Sequence, residues 1–511
     1  MTCCRPEIKV TPAASSEIRD KLTPRQKSFI LGGRKKRHVV MQKAVLNILA
    51  SGKPLFSKIP VRGQDLNSKI IIGTESEYGV GQDKNGQPTA KFHRLPEVFT
   101  NGGKAYKDLD HVEYCTPETS NAVAAVAYYE AGKLICRRKG YSSSLHCNNC
   151  DWHGNTFGAH QNFLTRAPRE KWPLLIPFLV VRTLIGGSGW INRRGWPEIS
   201  QRASFMVEPI GGNSTADRAI LHTRIEPLCG IRGFDRLHLI CSDAHMLETA
   251  LFLDLGVMGL VVELLEQNAL PAVGYNLEKA VADMQSISRS ISNWETPTAW
   301  PLAGAINEPK EALDLLSRYW ARLKSVFGGR DLVTDTLIIV LGDTIEKLSG
   351  SGDPIGRLYG RLDWATKISL LRDFKEDGAG GNVEWLKSAD LEYHDLNPDK
   401  GLYYYLRDRE AVERVVSNEL IEWAATEPPE DTRAFARGKA AAILSSRKPE
   451  WEIAADSAWT NLRVVDAWAN RPTGDEYHGC TAHHLNITLD DPFRHYEEVI
   501  EEVVRLVEKR Q

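Results

Sequence analysis

The sequence predicts an α+β fold, with a curved, mainly antiparallel sheet in a large N-terminal domain, helices packed behind it, and a small C-terminal α+β unit. Three observations predict it. Strand-like alternation recurs between residues 68 and 226, helical periodicity dominates from about 275 to 426, and the chain closes on the amphipathic "HYEEVIEEVVRLVEKR", His495 to Arg510. These shifts divide the chain into an extension at 1–67, a main domain at 68–427 and a smaller domain at 428–511.

The elements follow in order. Residues 1–67 hold 14 Lys/Arg against 4 Asp/Glu, a surplus of +10, so the remainder carries −12 of the net −2. The basic stretch "GGRKKRHVV" precedes a short apolar run, and the pair reads as one amphipathic helix on an extension. Such an extension is either a solvated tail or a dock for an acidic partner. "KIIIGTESEYGV", Lys69 to Val80, is the first strand. Alternation puts Gly73, Glu75, Glu77 and Gly79 on one side. Two carboxylates roughly 7 Å apart repel unless a cation or arginine lies between them. An exposed edge strand with solvated glutamates is the simpler alternative.

The turn-rich "GVGQDKNGQP" leads to a second strand, "GGKAYKDLDHVEYCT". On a straight strand Tyr106, Asp108 and Asp110 face one way, and His111 and Glu113 the other. Asp108 and Glu113 can line one site only if a bulge or turn intervenes. "SNAVAAVAYYEAGKLICRRKG" is a helix capped by Ser120 or Asn121. Strands follow at "SSLHCNN" and "FGAHQNFLT", where His160 and Asn162 share a face, and at "ISQRASFMVEP" and "RAILHTRIEP", where His222, Arg224 and Glu226 share one. "DAHMLETALFLDLGVMGLVVELLEQ" is a long buried helix.

Composition excludes several classes. No run of about 18 apolar residues exists, so no membrane span is expected, and "MTCCRPEIKV" has no secretory h-region. A cytoplasmic location and no nucleic-acid partner are the default expectations. The nine scattered cysteines fit reduced thiols. In "HCNNCDWH", Cys147 and Cys150 have zinc-like spacing, but no second pair exists, and they read as ordinary strand-end cysteines. "GGSGW" and "GGNSTADR" match no Walker or dinucleotide fingerprint and read as turns. What remains is an inventory of carboxylates for a hard cation such as Mg²⁺ and arginines for phosphate oxygens. Structural salt bridges explain any single strand more simply, but four polar-faced strands in one chain point towards a site.

Taken together, "IIGTESEYG", "NGGKAYKDLDHVEYCTPE", "GNTFGAHQNFL", "SQRASF", "HTRIEP", "RLHLICSDAHMLET", "LDWATK", "YHDLNPDKGLYYYL" and "EPPEDTRAFARG" resemble, in order, the Pup ligase and depupylase family. These enzymes are relatives of glutamine synthetase. The resemblance covers residues 68 to about 500 and implies a sheet cradling ATP and Mg²⁺. It implies metal binding by Glu75, Glu77 and Glu113, and catalysis by Asp108. His160, Arg202 and Arg224 match positions near the phosphates, and Arg433 an arginine of the C-terminal domain. The implied partners are a Pup-like small protein and the proteins it modifies.

Departures from the family pattern are the "HQNF" element, where Gln161 replaces a carboxylate, and "RIEPL", which lacks an aspartate and a histidine. The loop from Gly81 to about Val98 is short. The family acts on the γ-carboxyl of the modifier's C-terminal Glu or Gln. A ligase activates that carboxyl as an acyl phosphate and joins it to lysine; a depupylase hydrolyses the isopeptide bond or a terminal amide. "GTESEYG" and the Asp-x-x-His spacing of "DLDH" resemble the depupylase spelling, whereas the loop, shorter than in either branch, lacks the length typical of depupylases and argues against it. The hydrolytic branch is the expectation, with the ligase and an idle nucleotide-binding homologue as alternatives.

Overall fold

A computed structural model describes residues 34–61, 70–82, 87–226, 228–295, 299–350, 352–376, 382–446, 451–453, 459–466 and 485–508. The first part of the basic extension, residues 1–33, lies outside them. The helix expected next to it is present as α1 (Arg34–Ala50), packed on the short strand β1 (Pro54–Phe56).

The central sheet is antiparallel throughout. Its strands are β2 (Ile71–Val80), β3 (Glu97–Val98), β4 (Lys104–Asp108), β5 (His111–Cys115), β6 (Leu145–His146) and β7 (Ala159–Thr165). A short parallel pair, β8 (Glu208–Gly211) and β9 (Ala219–His222), precedes the seventh member, β10 (Asp235–Leu239). The spatial order is β10-β7-β2-β5-β4-β3, with β6 also on β2.

One predicted strand is two. "GGKAYKDLDHVEYCT" folds back at Leu109–Asp110, so Asp108 pairs with His111 and Tyr106 with Glu113. Directly opposed residues of an antiparallel pair point to the same face. His111 and Glu113 therefore join Asp108 rather than opposing it. Two further strands shorten: "ISQRASFMVEP" closes a 3-10 turn at Ala203–Phe205, and "RAILHTRIEP" leaves the strand after His222. Arg202 and Arg224 thus sit on loops.

Behind the sheet lie α2 (Ala122–Lys139) and α3 (Glu248–Glu266), packed on each other. Asn121 caps α2 by accepting the Ala124 amide. Helix α3 is buried on nearly every side, as its apolar run requires. Gly259 is where it meets the sheet: a Cβ there would stand 2.9 Å from Ile70 Cδ1. The back face of β2, with Ile72, Thr74, Ser76 and Tyr78, is buried against these helices. Helices α4 (Ala312–Phe327) and α5 (Leu332–Ser349) complete the support. Strand β11 (Arg414–Val416) pairs in parallel with β1.

A separate apolar cluster forms from α6 (Ala434–Ser445), the three-stranded sheet β12 (Trp451–Ile453), β13 (Asn461–Asp466) and β14 (Leu485–Thr488), and α7 (Glu497–Glu508). Buried Glu118, between β5 and α2, ties this unit to the sheet. Arg433 donates to its carboxylate at 2.5 Å, and Arg437 donates to its other oxygen.

Candidate active site

The front face of the sheet is polar across four adjacent strands. On β2 the period of two exposes Gly73, Glu75 and Glu77. Register places Glu77 opposite Glu113, Glu113 opposite Tyr106, and His111 opposite Asp108. On the other side Glu75 opposes His160, Gly73 opposes Asn162, and Asn162 opposes His238. The sheet alone gathers these side chains into two adjoining groups. Ligand atoms of Glu77, Asp108 and Glu113 lie within 4.8 Å of one another, as do those of Glu75, His160 and His238. Glu75 and Glu77 share a face, but each belongs to a different group.

The Glu75 group is knit by hydrogen bonds. His160 Nδ1 lies 3.1 Å from Glu75 Oε2, Asn162 donates to Glu75 Oε1 at 3.1 Å, and Arg236 reaches the same oxygen at 3.3 Å. Burial alone would raise this carboxyl. The hydrogen bond with His160, with attraction from His238, His160 and the Arg236 guanidinium, overcomes it and holds Glu75 well below the carboxylate range. His238 is buried and held far below the usual imidazole range, mainly by desolvation.

The Glu77 group lacks that compensation. Burial and then the Glu75 charge push Glu113 well above its ordinary range, against a 2.5 Å hydrogen bond from Tyr106; Glu77 and Asp108 push the same way. Carboxylates crowded around a buried Glu113, all hard oxygen donors, fit a hard cation such as Mg²⁺. Gly158 is required for the arrangement, because a Cβ there would stand 2.6 Å from Glu77 Oε1 and 2.4 Å from His160 Nε2.

Arg202 and Arg218 flank Glu77, whose carboxylate favours the charge of each. Arg202 is almost fully buried, donating to Phe157 O at 2.6 Å and Thr156 Oγ1 at 3.1 Å, with its Nε unpartnered. Its backbone is fixed by Asp243, which accepts from the Arg202 and Gln201 amides. Burial works against the Arg202 charge, Glu77 supports it and Arg218 opposes it. Arg224 stands apart, half-exposed and paired with Glu226 at 2.8 Å. Glu226 in turn accepts from Arg236 at 2.9 Å.

A small cleft of about 70 Å³, open to solvent, lies at the Gly73 end of the same face. Ile71, Leu164, Leu228 and Trp459 supply apolar walls; Glu75, Thr116, Arg236 and Arg433 supply polar ones. Gly73 meets nothing closer than Asn162 Cβ at 4.0 Å, so its missing side chain leaves room for a ligand. Gly79 differs: a Cβ there would stand 2.9 Å from Asn148 Oδ1, so that glycine serves internal packing.

Sequence reasoning therefore assembled Glu75, Glu77, Asp108, Glu113, His160 and Arg202 in one neighbourhood, with Arg433 at the cleft and Arg224 at the margin. It missed Tyr106 as a partner of Glu113, and Arg218, Arg236, His238, Thr116 and Trp459. The R-x-H alternation of "RLHL" would have marked Arg236 and His238.

The family model described as Pup-ligase protein matches residues 93–463. This chain belongs to that family. A depupylase of Acidothermus cellulolyticus is 31% identical over 416 residues, covering 76% of this chain and 79% of the relative. The solved complex between the prokaryotic ubiquitin-like protein Pup and its ligase PafA superposes with a TM-score of 0.70 at 25% identity, over 86% of this chain and 91% of that one. The ligase PafA in complex with ADP gives 0.68 at 25%, over 81% and 91%. The antiparallel sheet with its packed helices is the architecture expected of the family. No helix among the described residues is long and apolar enough to cross a membrane.

Proposed function

We propose that this protein is a nucleotide- and Mg²⁺-dependent enzyme acting at the bond between the C-terminal γ-carboxyl of a Pup-like modifier and a lysine amine. One observation carries the reading: Glu75, Glu77, Asp108 and Glu113 converge on a single sheet face, with an open cleft at its Gly73 end. Family membership and the ADP complex of the PafA relative support the nucleotide.

The nucleotide would run along β2, its base among Trp459, Leu164 and Leu228 and its phosphates toward Glu77. Glu77 and Glu113 would hold the cation, with Glu75 oriented by His160 beside them. Bound Mg²⁺ supplies charge neutralisation for phosphate oxygens and for the crowded carboxylates. Arg202 offers a preorganised guanidinium to developing negative charge, since its backbone and one Nη are already fixed. Arg433 would close the base end. His160 both orients Glu75 and borders the phosphate path, and Arg224 would reach an oxygen only by exchanging Glu226.

Asp108 is the acid of the group that keeps access to solvent while Glu113 is buried. In the hydrolytic direction its carboxylate would attack the isopeptide carbonyl or draw a proton from water. The Asp-x-x-His spelling from Asp108 to His111 resembles the hydrolytic branch and supports that direction. In the ligase direction it would take the proton of the incoming lysine amine, and the likeness to the solved PafA ligase complexes supports this second reading. Of the two departures behind the idle-homologue alternative, Gln161 bears little on the acids: it faces away from them, buried against α3, where it hydrogen-bonds Asp254 and Arg182.

Incubation with ATP, Mg²⁺ and a Pup-like protein ending in Glu or Gln, followed by mass spectrometry, tests the proposal. Release of modifier or ammonia means hydrolase, a mass gain on lysine means ligase, and no change in any species defeats both.

A further inference from the structure

The hairpin turn beside Asp108 carries the wrong residue for its geometry. Leu109 has φ +46°, a left-handed conformation in which glycine, asparagine or aspartate is the comfortable choice. Two-residue hairpin loops favour Gly or Asn-Gly for this reason. The same leucine is 72% exposed, so its apolar side chain stands in water. A strained backbone and an unburied apolar side chain are two local costs on one residue, and both fall one position from Asp108, at the solvent end of the acid group. Such outliers gather where a ligand or partner supplies the missing contact.

We propose that Leu109 is a substrate-contacting specificity residue, packing against the aliphatic stem of the lysine side chain whose amine is joined or released at Asp108. The inference rests on the function proposed above and holds in either direction, because both reactions bring four lysine methylenes past the turn. The lysine nitrogen must come within hydrogen-bonding reach of Asp108, and its methylenes then trail outward toward solvent, where Leu109 stands. Covering them with leucine removes apolar surface from water on both partners. It also limits water around Asp108 only once the polypeptide is seated.

The test compares Leu109→Asn and Leu109→Met in the full chain, with kcat and KM measured separately for the lysine-bearing polypeptide. Asparagine accepts the left-handed backbone, so Leu109→Asn is expected to raise the thermal midpoint by about 1–3 °C. It is expected to raise KM about tenfold, with a smaller change in kcat. Leu109→Met keeps an apolar chain and should stay within about threefold of the unsubstituted KM. Leu174→Asn is the control, since Leu174 is 58% exposed on a 3-10 turn that gives nothing to the acid groups, and its KM should not move. A KM for Leu109→Asn within about twofold of the unsubstituted protein overturns the role of Leu109. Complete inactivity of the unsubstituted chain would instead overturn the parent reading, and this one with it.

Discussion

The two faces of the central sheet carry buried carboxylates of opposite temperament. Behind the sheet, Asp254 and Asp363 sandwich His245, with Nε2 3.3 Å from Asp254 and Nδ1 3.0 Å from Asp363. Arg182 and Gln161 attend Asp254, and Tyr393 and the Leu247 amide attend Asp363. The charges balance and the donors are supplied by the chain. On the front, Glu77, Asp108 and Glu113 crowd together, and at Glu113 burial and the neighbouring acid charges outweigh the hydrogen bond from Tyr106. A polar network that satisfies itself is architecture; one left short of positive charge is a receptor for it.

Substitutions can break this contrast. The largest effect is expected at Asp108→Asn, which should lower turnover on the order of 10³-fold or more while leaving the unfolding midpoint nearly unchanged. Retained turnover in a mass-spectrometric assay would remove Asp108 from the chemistry. Asp254→Ala should do the reverse. It strands Arg182 and His245 in the interior and should cost roughly 3–5 kcal/mol in denaturant unfolding. Glu113→Gln sharpens the comparison, because relieving the crowding should stabilise the metal-free protein by up to ~1 kcal/mol yet weaken Mg²⁺–nucleotide binding about tenfold or more by calorimetry. Equal stability losses at Asp254 and Glu113 would abolish the distinction.

The pH dependence of unfolding gives a smaller effect on each flank. Burial disfavours the His245 charge, but its two aspartates push its pKa up to about 9 from 6.5. Its contribution, on the order of 2–3 kcal/mol, is full below pH 6.5 and is lost as pH rises through 9. Burial would raise Glu118, yet Arg437 and Arg433 bring it down to about 2 from 4.5. Its contribution is full above pH 4.5 and fades as pH falls toward 2. Denaturant midpoints measured from pH 2 to 10 should therefore decline at both ends, with the alkaline decline absent in His245→Gln. The smallest change in activity is expected at Gln161→Glu. It adds a third carboxylate behind the sheet, so stability should drop by ~1–2 kcal/mol with Mg²⁺–nucleotide affinity altered less than about threefold.

The sequence revealed the strand-borne acids because alternation is local: Glu75 and Glu77 need only two residues to declare a shared face. The fold class was legible for the same reason, since each long helix announces its own period. The hairpin was not, because Leu-Asp carries none of the turn chemistry of Asn-Gly, and its left-handed leucine is an exception to the rule that would have found it. Without that turn Glu113 lands on the wrong side. Arg236 and His238 depend on register across three strands, which no single segment encodes. The face shared by His222, Arg224 and Glu226 on a longer strand does not form, because the ladder stops at His222 and leaves Arg224 on a loop.

The parallel pairing of β1 with β11 also bears on how the molecule is made. Pro54 finds its register partner, Arg414, only when most of the polypeptide has left the ribosome. Until then the early segment has no ladder to join, and the nascent main domain must wait with that seam open. Closure of so distant a pair is entropically slow, which places it among the late events of maturation and makes the half-made chain a natural client for chaperones.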